Sequence, residues 1–216
     1  MGVMQKFLDR QDAGIKLAVE LSKYSFEKPL IIALLRGGIH VATEISKMLA
    51  IPFDVWIVRK IGAPWEHEFA IGAVAEGGYT YLAVDTIEGI GVTESELDAL
   101  IEKENMELKE RIFMYRGARS RPTVEGRTII LVDDGIATGA TVRAAAGAIR
   151  NGNPLKIILA VPVASPESLD LLRNVFDQEV CLLKPDNLFA VGTWYEDFSQ
   201  VSDEEVLSIL NHSSDV

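Results

Sequence analysis

Two adjacent carboxylates, Asp133 and Asp134, stand between an apolar run and a loop of small residues in the stretch "IILVDDGIATGATVRAAAGAIR". The loop from Ala137 through Thr138, Gly139 and Ala140 to Thr141 offers successive unhindered backbone N–H groups and two hydroxyls, just ahead of Ala-rich helical spacing. A helix N-terminus favours an anion, and the size of the loop suits a monophosphate. The carboxylates would repel that phosphate, so they suit vicinal hydroxyls, which donate to them, or Mg²⁺. A phosphorylated sugar satisfies both halves. Paired acids before a helix can act only as caps, but the whole succession is more specific than an isolated Asp-Asp-Gly. Other phosphate and hydrolase signatures are missing: there is no G-x-x-x-x-G-K-S/T, no full dinucleotide fingerprint, no H-E-x-x-H and no G-x-S-x-G.

Strands that end together must position these groups. Apolar spacing predicts a helix between Phe7 and Leu21, a strand in "KPLIIALL" ending at Leu35, a turn at Gly37-Gly38, a helix over Ile39–Ala50 and a strand over Phe53–Val58. That is a βαβ unit. From Arg59 to Gly91 two strand-like runs flank Gly77-Gly78, the signature of an antiparallel hairpin. Thr93 and Glu96 form a capping box that opens a charged helix stopping near Gly117. "TIILVDD", "LKIILAVPVA" and "EVCLLK" read as three further strands, separated by helices at about Thr141–Arg150 and in "PESLDLLRNVF". The alternation predicts an α/β fold, an open and mostly parallel sheet flanked by helices, as a single domain over residues 1–216. Such sheets bind ligands at the carboxyl ends of their strands, where Asp133 and Asp134 fall.

A chain of 216 residues, 48% hydrophobic, can bury a substantial core. Its formal net charge of -11 has the wrong sign for a surface that neutralises many phosphates, so nucleic acid is not expected as a partner. The single cysteine, Cys181, lies in an apolar run and reads as a buried structural thiol in a reducing compartment. The N-terminal residues carry no apolar leader segment, and no stretch is long enough to span a bilayer, so a cytoplasmic protein with no membrane partner is expected.

"ILVDDGIATGAT" resembles the phosphoribosyl pyrophosphate (PRPP) signature of type I phosphoribosyltransferases, and the strand-helix order over most of the chain agrees with that fold. The resemblance implies that Asp133 and Asp134 hold the ribose hydroxyls and Mg²⁺, and that Ala137, Thr138, Gly139, Ala140 and Thr141 hold the 5-phosphate. "LLRGGIH" is similar to the family's pyrophosphate loop. Arg36 and Gly37 would contact the diphosphate, often through a non-proline cis peptide. The family's core would cover about 25–183. Its mobile covering loop or hairpin would span about 59–92, with Lys60 a further diphosphate contact. A small C-terminal hood, about 184–216, would join the N-terminal helix. There Trp194 or Tyr195 would stack on the base, and Asp197 would contact Mg²⁺ or the purine edge. Arg36, Lys60, Asp133 and Asp134 would be the catalytic set. "RKIGAPWEHEFAIGAVAEGG" and "VGTWYEDFSQVSDEEV" resemble a little-characterised branch of the family.

The implied activity is Mg²⁺-dependent transfer of phosphoribosyl from PRPP to a nucleobase, a purine being favoured by the aromatic hood, in a homodimer. The alternative is a non-catalytic module that senses PRPP or a nucleotide. Retention of Arg36, Lys60 and the acids around His67 favours the enzyme. One departure matters: hypoxanthine-guanine members carry an Asp where this chain has Ala137. Either Glu66 or Glu68 of the cover handles the base proton, or the acceptor enters deprotonated. His67 and Lys184 read as surface residues, and Arg111, Arg116, Arg119 and Arg121 as groups that mostly solvate their helix and loop.

Overall fold

The computed structural model describes residues 6–212, and within them every side chain but that of Glu68. In chain order the elements are α1 (Arg10–Leu21), β1 (Leu30–Leu34), α2 (Gly38–Leu49), β2 (Phe53–Trp56), β3 (Val58–Ala63), β4 (Glu66–Ala75), β5 (Tyr79–Leu82) and α3 (Val84–Ile90). Then follow α4 (Glu94–Arg116), β6 (Thr128–Val132), α5 (Ala140–Arg150), β7 (Lys156–Val163), α6 (Pro166–Leu172), β8 (Gln178–Leu183), a short 3₁₀ turn at Val191–Trp194, and α7 (Asp203–His212).

Every residue of β1 and β6 is buried, as strands covered on both faces require. The side chains alternate between two cores. Ile31, Ala33, Ile130, Val132 and Ile158 pack beneath α1 and α2, while Ile32, Leu34, Ile129, Leu131 and Leu159 pack beneath α5 and α6. Each buried Ile, Leu or Val among them contributes roughly 1.5–3 kcal/mol of transfer free energy. On the first face α1 and α2 approach so closely that a Cβ on Gly14 would lie 2.8 Å from the Val41 carbonyl oxygen.

All five strands of the main sheet are parallel, in the order β2-β1-β6-β7-β8. From β1 the chain moves outward to β2, and from β6 it moves the other way through β7 to β8. The carboxyl ends of β1 and β6, with Ala33 in register with Val132, therefore flank the point where the strand order reverses.

The stretch expected as one strand over Phe53–Val58 is instead two. β2 pairs with β1, and after Ile57 the chain leaves that sheet to form the edge of a second, antiparallel one of order β3-β4-β5. The branch is fixed by Glu76, whose N–H donates to the Ile57 carbonyl at 2.8 Å and whose carbonyl accepts from the Trp56 indole at 2.9 Å. The expected hairpin turn is present, with Gly77 and Gly78 at φ 100° and 78°. The second sheet packs on α4 and α5. Gly147 of α5 lies directly under the Tyr79 ring, where any Cβ would overlap it. The capping box of α4 forms as expected, with the Thr93 hydroxyl accepting from the Glu96 N–H.

Of the four arginines expected mostly to solvate their helix and loop, Arg119 and Arg121 are exposed, whereas Arg111 is half-buried and Arg116 buried. Arg116 is buried against Glu76 and Asp54, and Arg111 binds Asp203 at 2.8 Å. Arg119 donates to the carbonyls of Tyr115 and Leu210, and the Arg121 guanidinium lies 5.7 Å from the centre of the Trp56 ring. They tie α4 and the following loop to the hairpin and to α7, which packing in three dimensions decides and spacing does not. Lys184 is a surface residue paired with Glu179 at 2.8 Å. No helix among the described residues is long and apolar enough to cross a membrane.

Cys181 on β8 is half-buried rather than fully buried, and its thiol points at the Leu183 carbonyl, 3.2 Å away. Burial pushes the thiol up to about 11. The reactive species is the thiolate, whose fraction at pH 8 is then on the order of 10⁻³. Iodoacetamide at that pH is expected to alkylate the native protein about a hundredfold more slowly than the urea-unfolded chain, read by mass spectrometry. Equal rates would show that the thiol is not shielded.

Candidate active site

The loops that follow β1 and β6 are pressed together. A Cβ on Gly37 would overlap the Asp134 carboxylate, and one on Gly38 would lie 2.7 Å from the Val132 carbonyl oxygen. The Leu35–Arg36 peptide bond is cis. Gly37 has an ordinary helical φ of -62°, so its missing side chain matters for space and not for backbone conformation. Gly37→Ala is expected to leave the melting temperature within a few degrees while displacing the Asp134 carboxylate and weakening PRPP binding by at least about tenfold. Unchanged calorimetric affinity would mean that the two loops do not act as one site.

Beyond Asp134 the chain passes through Gly135 to the loop that opens α5. Ile136 donates its N–H to the Val163 carbonyl at 2.9 Å, and the Ser168 hydroxyl donates to the Ala137 carbonyl at 2.6 Å, so the loop is pinned to β7 and α6. Gly139 adopts φ 79° and caps α5 without any side-chain hydrogen bond, which leaves the first-turn N–H groups open to an anion. Ala137 and Thr138 are exposed and Thr141 lines the cleft, while Ala140 is buried behind them.

These loops form the floor of a cleft of about 690 Å³. Asp133 and Asp134 both line it. The Asp133 carboxylate accepts the Asp134 N–H at 2.9 Å. Burial, and after it the neighbouring Asp134 charge, pushes the Asp133 carboxyl well above the usual carboxylate range, against the pull of Lys60 and Arg10. Burial also raises Asp134, with Arg10 drawing it back. Arg10, from α1, holds the Asp134 carboxylate at 2.8 Å, donates to the Ser199 carbonyl at 2.8 Å, and lies 3.8 Å from the centre of the Phe198 ring. The pair is thus a concentration of buried negative charge that Arg10 only partly offsets, which suits a site that receives hydroxyls or a cation.

One wall is cationic. Arg36 reaches Asp203 at the start of α7 at 3.4 Å, and the same carboxylate accepts from Arg111 at 2.8 Å and from the Tyr115 hydroxyl. The Tyr115 bond holds the Asp203 carboxyl below its ordinary value, against burial. Arg59 of β3 pairs with Glu104 of α4 at 3.0 Å. Lys60 and Lys103 also line the cleft, and among the described residues neither has an ion-pair partner. His67 stands exposed at the rim, where β4 comes so close to β3 that a Cβ on Gly62 would overlap the His67 backbone. Glu66 is exposed on β4 and is not part of the cleft wall, and the Glu68 side chain lies outside the described residues.

The hood differs from the expectation. Trp194 and Tyr195 do not line the cleft. Tyr195 is buried between Phe7 and Phe198, with ring centroids 5.3 Å and 4.9 Å away, and its hydroxyl donates to the Asp134 carbonyl at 2.5 Å. Burial raises its phenol. The backbone bonds between Phe7 and the hood, Phe7 N–H to the Trp194 carbonyl and Glu196 N–H to the Phe7 carbonyl, turn the Tyr195 ring inward, where it props the acidic strand end from behind. Asp197 faces a separate hollow of about 220 Å³ and accepts from the Ser199 N–H and hydroxyl. Val191 and Phe198 supply the apolar wall of the cleft instead.

Arg10, Lys103, Glu104, Val191, Phe198 and Asp203 are the site residues that sequence reasoning missed. Phe198 belongs to the same hood stretch as Trp194 and Tyr195, and it is the ring of that stretch that lines the cleft. Arg10 and Asp134 are separated by 124 positions, and nothing local marks them as partners.

Comparison with known proteins agrees with this geometry. The family model described as phosphoribosyl transferase domain matches residues 5–197. The Mycobacterium tuberculosis (strain H37Rv) protein named "Putative phosphoribosyl transferase Rv0571c" is 40% identical over 210 residues, which is 97% of this chain and 47% of that protein. This chain therefore spans about half the length of such curated relatives. "Bifunctional protein PyrR" of Chloroflexus aurantiacus is 35% identical over 140 residues, 62% of this chain and 71% of that one. The crystal structure of TT1426 from Thermus thermophilus superposes with a TM-score of 0.81 at 39% identity, covering 96% of this chain and 98% of that one. With the signature loop, the parallel sheet and the family match in agreement, the chain belongs to the phosphoribosyl transferase domain family.

Proposed function

We propose that the protein transfers a phosphoribosyl group from PRPP to a nucleobase, a purine by preference, with release of pyrophosphate. The observation that carries this reading is the convergence on one cleft of an uncapped helix N-terminus, two carboxylates and a cationic wall. The first-turn amides of α5 with Thr138 and Thr141 hold the 5-phosphate. Asp133 and Asp134 accept hydrogen bonds from the ribose hydroxyls. As the bond from C1 to the diphosphate oxygen breaks, their charge stabilises the positive charge that develops on the sugar, while Arg36 and Lys60 stabilise the departing diphosphate. Phe198 and Val191 offer the apolar surface on which the base lies. A ring face against a base contributes roughly 1–3 kcal/mol.

Among the described residues no group of three or more His, Cys, Asp or Glu side chains is placed to hold a metal ion. The two carboxylates are hard oxygen donors nonetheless. They fit Mg²⁺, which keeps several waters and takes substrate phosphates as ligands. When bound, that ion would neutralise charge on the leaving diphosphate. The residues that would hold it are Asp133 and Asp134, and Arg10 limits how much of Asp134 is available.

Calorimetric titration with PRPP, with and without Mg²⁺, followed by a panel of nucleobases with pyrophosphate release as the readout, tests the reading. Mg²⁺-dependent binding and release with one base supports it. Absence of PRPP binding sinks it, and binding without release under any base would replace the enzyme with a sensor.

A further inference from the structure

The cationic wall contains a group that no phosphate signature in the sequence marks. Lys103 projects from the middle of α4 into the cleft, and among the described residues it makes no ion pair. The residue after it, Glu104, binds Arg59, which adjoins Lys60 on β3. Further along the same helix Arg111 and Tyr115 meet the carboxylate of Asp203 that also engages Arg36. Lys103 is therefore placed on the Arg36 and Lys60 side, away from the cradle at the start of α5.

Charge decides what this side can hold. Arg36 and Arg59 are each partly neutralised by a carboxylate, so the uncompensated charges of the wall are the ammonium groups of Lys60 and Lys103. Lys60 lies on β3 and is near enough to Asp133 and Asp134 to act on both, and Lys103 lines the same cleft from α4, which packs against β3. Two unpaired cations on one wall match a ligand with two linked anionic groups, and a single phosphate needs only one of them. The chain's net charge of -11 repels polyanions from a distance, but that field is screened beyond about 8 Å at physiological salt, so local cations dominate inside the cleft.

We propose that Lys103, beside Lys60, is a second contact for the leaving diphosphate, and that it sets the preference for a diphosphate over a monophosphate and the rate at which pyrophosphate leaves. The proposal rests on the phosphoribosyl-transfer reading and names a residue for it. Inorganic pyrophosphate, PRPP and inorganic phosphate are titrated separately into the wild type, Lys103→Ala, Lys103→Arg and Lys109→Ala, with no acceptor present. Lys109 lies on the outer face of the same helix, beside Phe113 and Met114, and serves as the charge-matched control. Lys103→Ala is expected to weaken pyrophosphate and PRPP by about tenfold and phosphate little, with the gap closing as salt is raised. Lys103→Arg should stay near wild type, and Lys109→Ala should match it. If the wild type binds both diphosphates and Lys103→Ala binds them equally well, or if Lys109→Ala loses as much, the assignment of Lys103 is wrong while the enzyme reading stands. If the wild type binds neither, the reading and this inference fall together.

Discussion

Asp134→Asn is expected to lower turnover by roughly 10²–10³-fold, the usual effect of removing one electrostatic stabiliser from a preorganised site. Asparagine keeps the shape and one acceptor oxygen but loses the charge that would face the sugar centre as the diphosphate departs. It also releases Arg10, which in the native protein divides its donors between Asp134 and the Ser199 carbonyl. Part of any loss therefore comes from the N-terminal helix, and two controls separate the causes. PRPP affinity without an acceptor reports on ground-state binding, and Arg10→Met removes the ion pair while leaving both carboxylates. If the fall is confined to kcat, the carboxylate acts in the transition state. A folded Asp134→Asn protein with near-normal turnover would remove the ribose and charge-stabilising role from this pair.

The second large effect concerns stability. Arg116→Met should destabilise the protein by about 3–5 kcal/mol, because it leaves the Glu76 carboxylate buried without its cation. Arg116 is only 6% exposed and Glu76 3%. The guanidinium binds Glu76 at 2.5 Å, Asp54 at 3.2 Å and the Val55 carbonyl at 2.6 Å. Burial works against its charge, and the two carboxylates outweigh that, so it stays protonated. The cluster joins the end of α4, the turn between β4 and β5, and the point where β2 gives way to β3. Adding Glu76→Gln to Arg116→Met should recover part of the loss, since the uncompensated charge is then gone. Denaturant unfolding of the two single variants and the double variant measures this. A loss below about 1 kcal/mol in Arg116→Met, the range of a surface pair, would show that the cluster is solvated.

Features that depend on neighbours along the chain are legible in the amino-acid order alone. Alternating apolar runs and helical spacing locate all five strands of the parallel sheet and the helices between them, because each element buries a face that its own periodicity defines. The phosphate loop is legible for the same reason: small residues, hydroxyls and a helix start occur within a few positions of Asp133. Gly77-Gly78 and the Thr93–Glu96 box are equally local.

The misreadings have a common cause. Residues 55–58 are an unbroken apolar run, so nothing in it announces that the chain changes sheets at Ile57; Glu76 and Arg116 impose that from elsewhere. In "VGTWYEDF" three aromatic side chains are available, and which ring faces the cleft depends on the bonds that the hood backbone makes with Phe7. Those bonds turn Tyr195 inward and leave Phe198 at the cleft. Arg111 and Arg116 carry no sign of their partners in the sequence, since Asp203 and Glu76 are brought to them by folding.

By itself, then, the amino-acid order determined the fold class, the sheet edge at which the cleft opens, and the groups that form its floor. These follow from spacing within one element and the turn beside it. Only the tertiary structure decided the walls: Arg10 on Asp134, Glu104 on Arg59, Asp203 on Arg36, Lys103 left unpaired, and Phe198 in place of Tyr195. Charges and rings on long side chains take partners by proximity in space, and elements far apart in sequence supply that proximity only once both cores have packed.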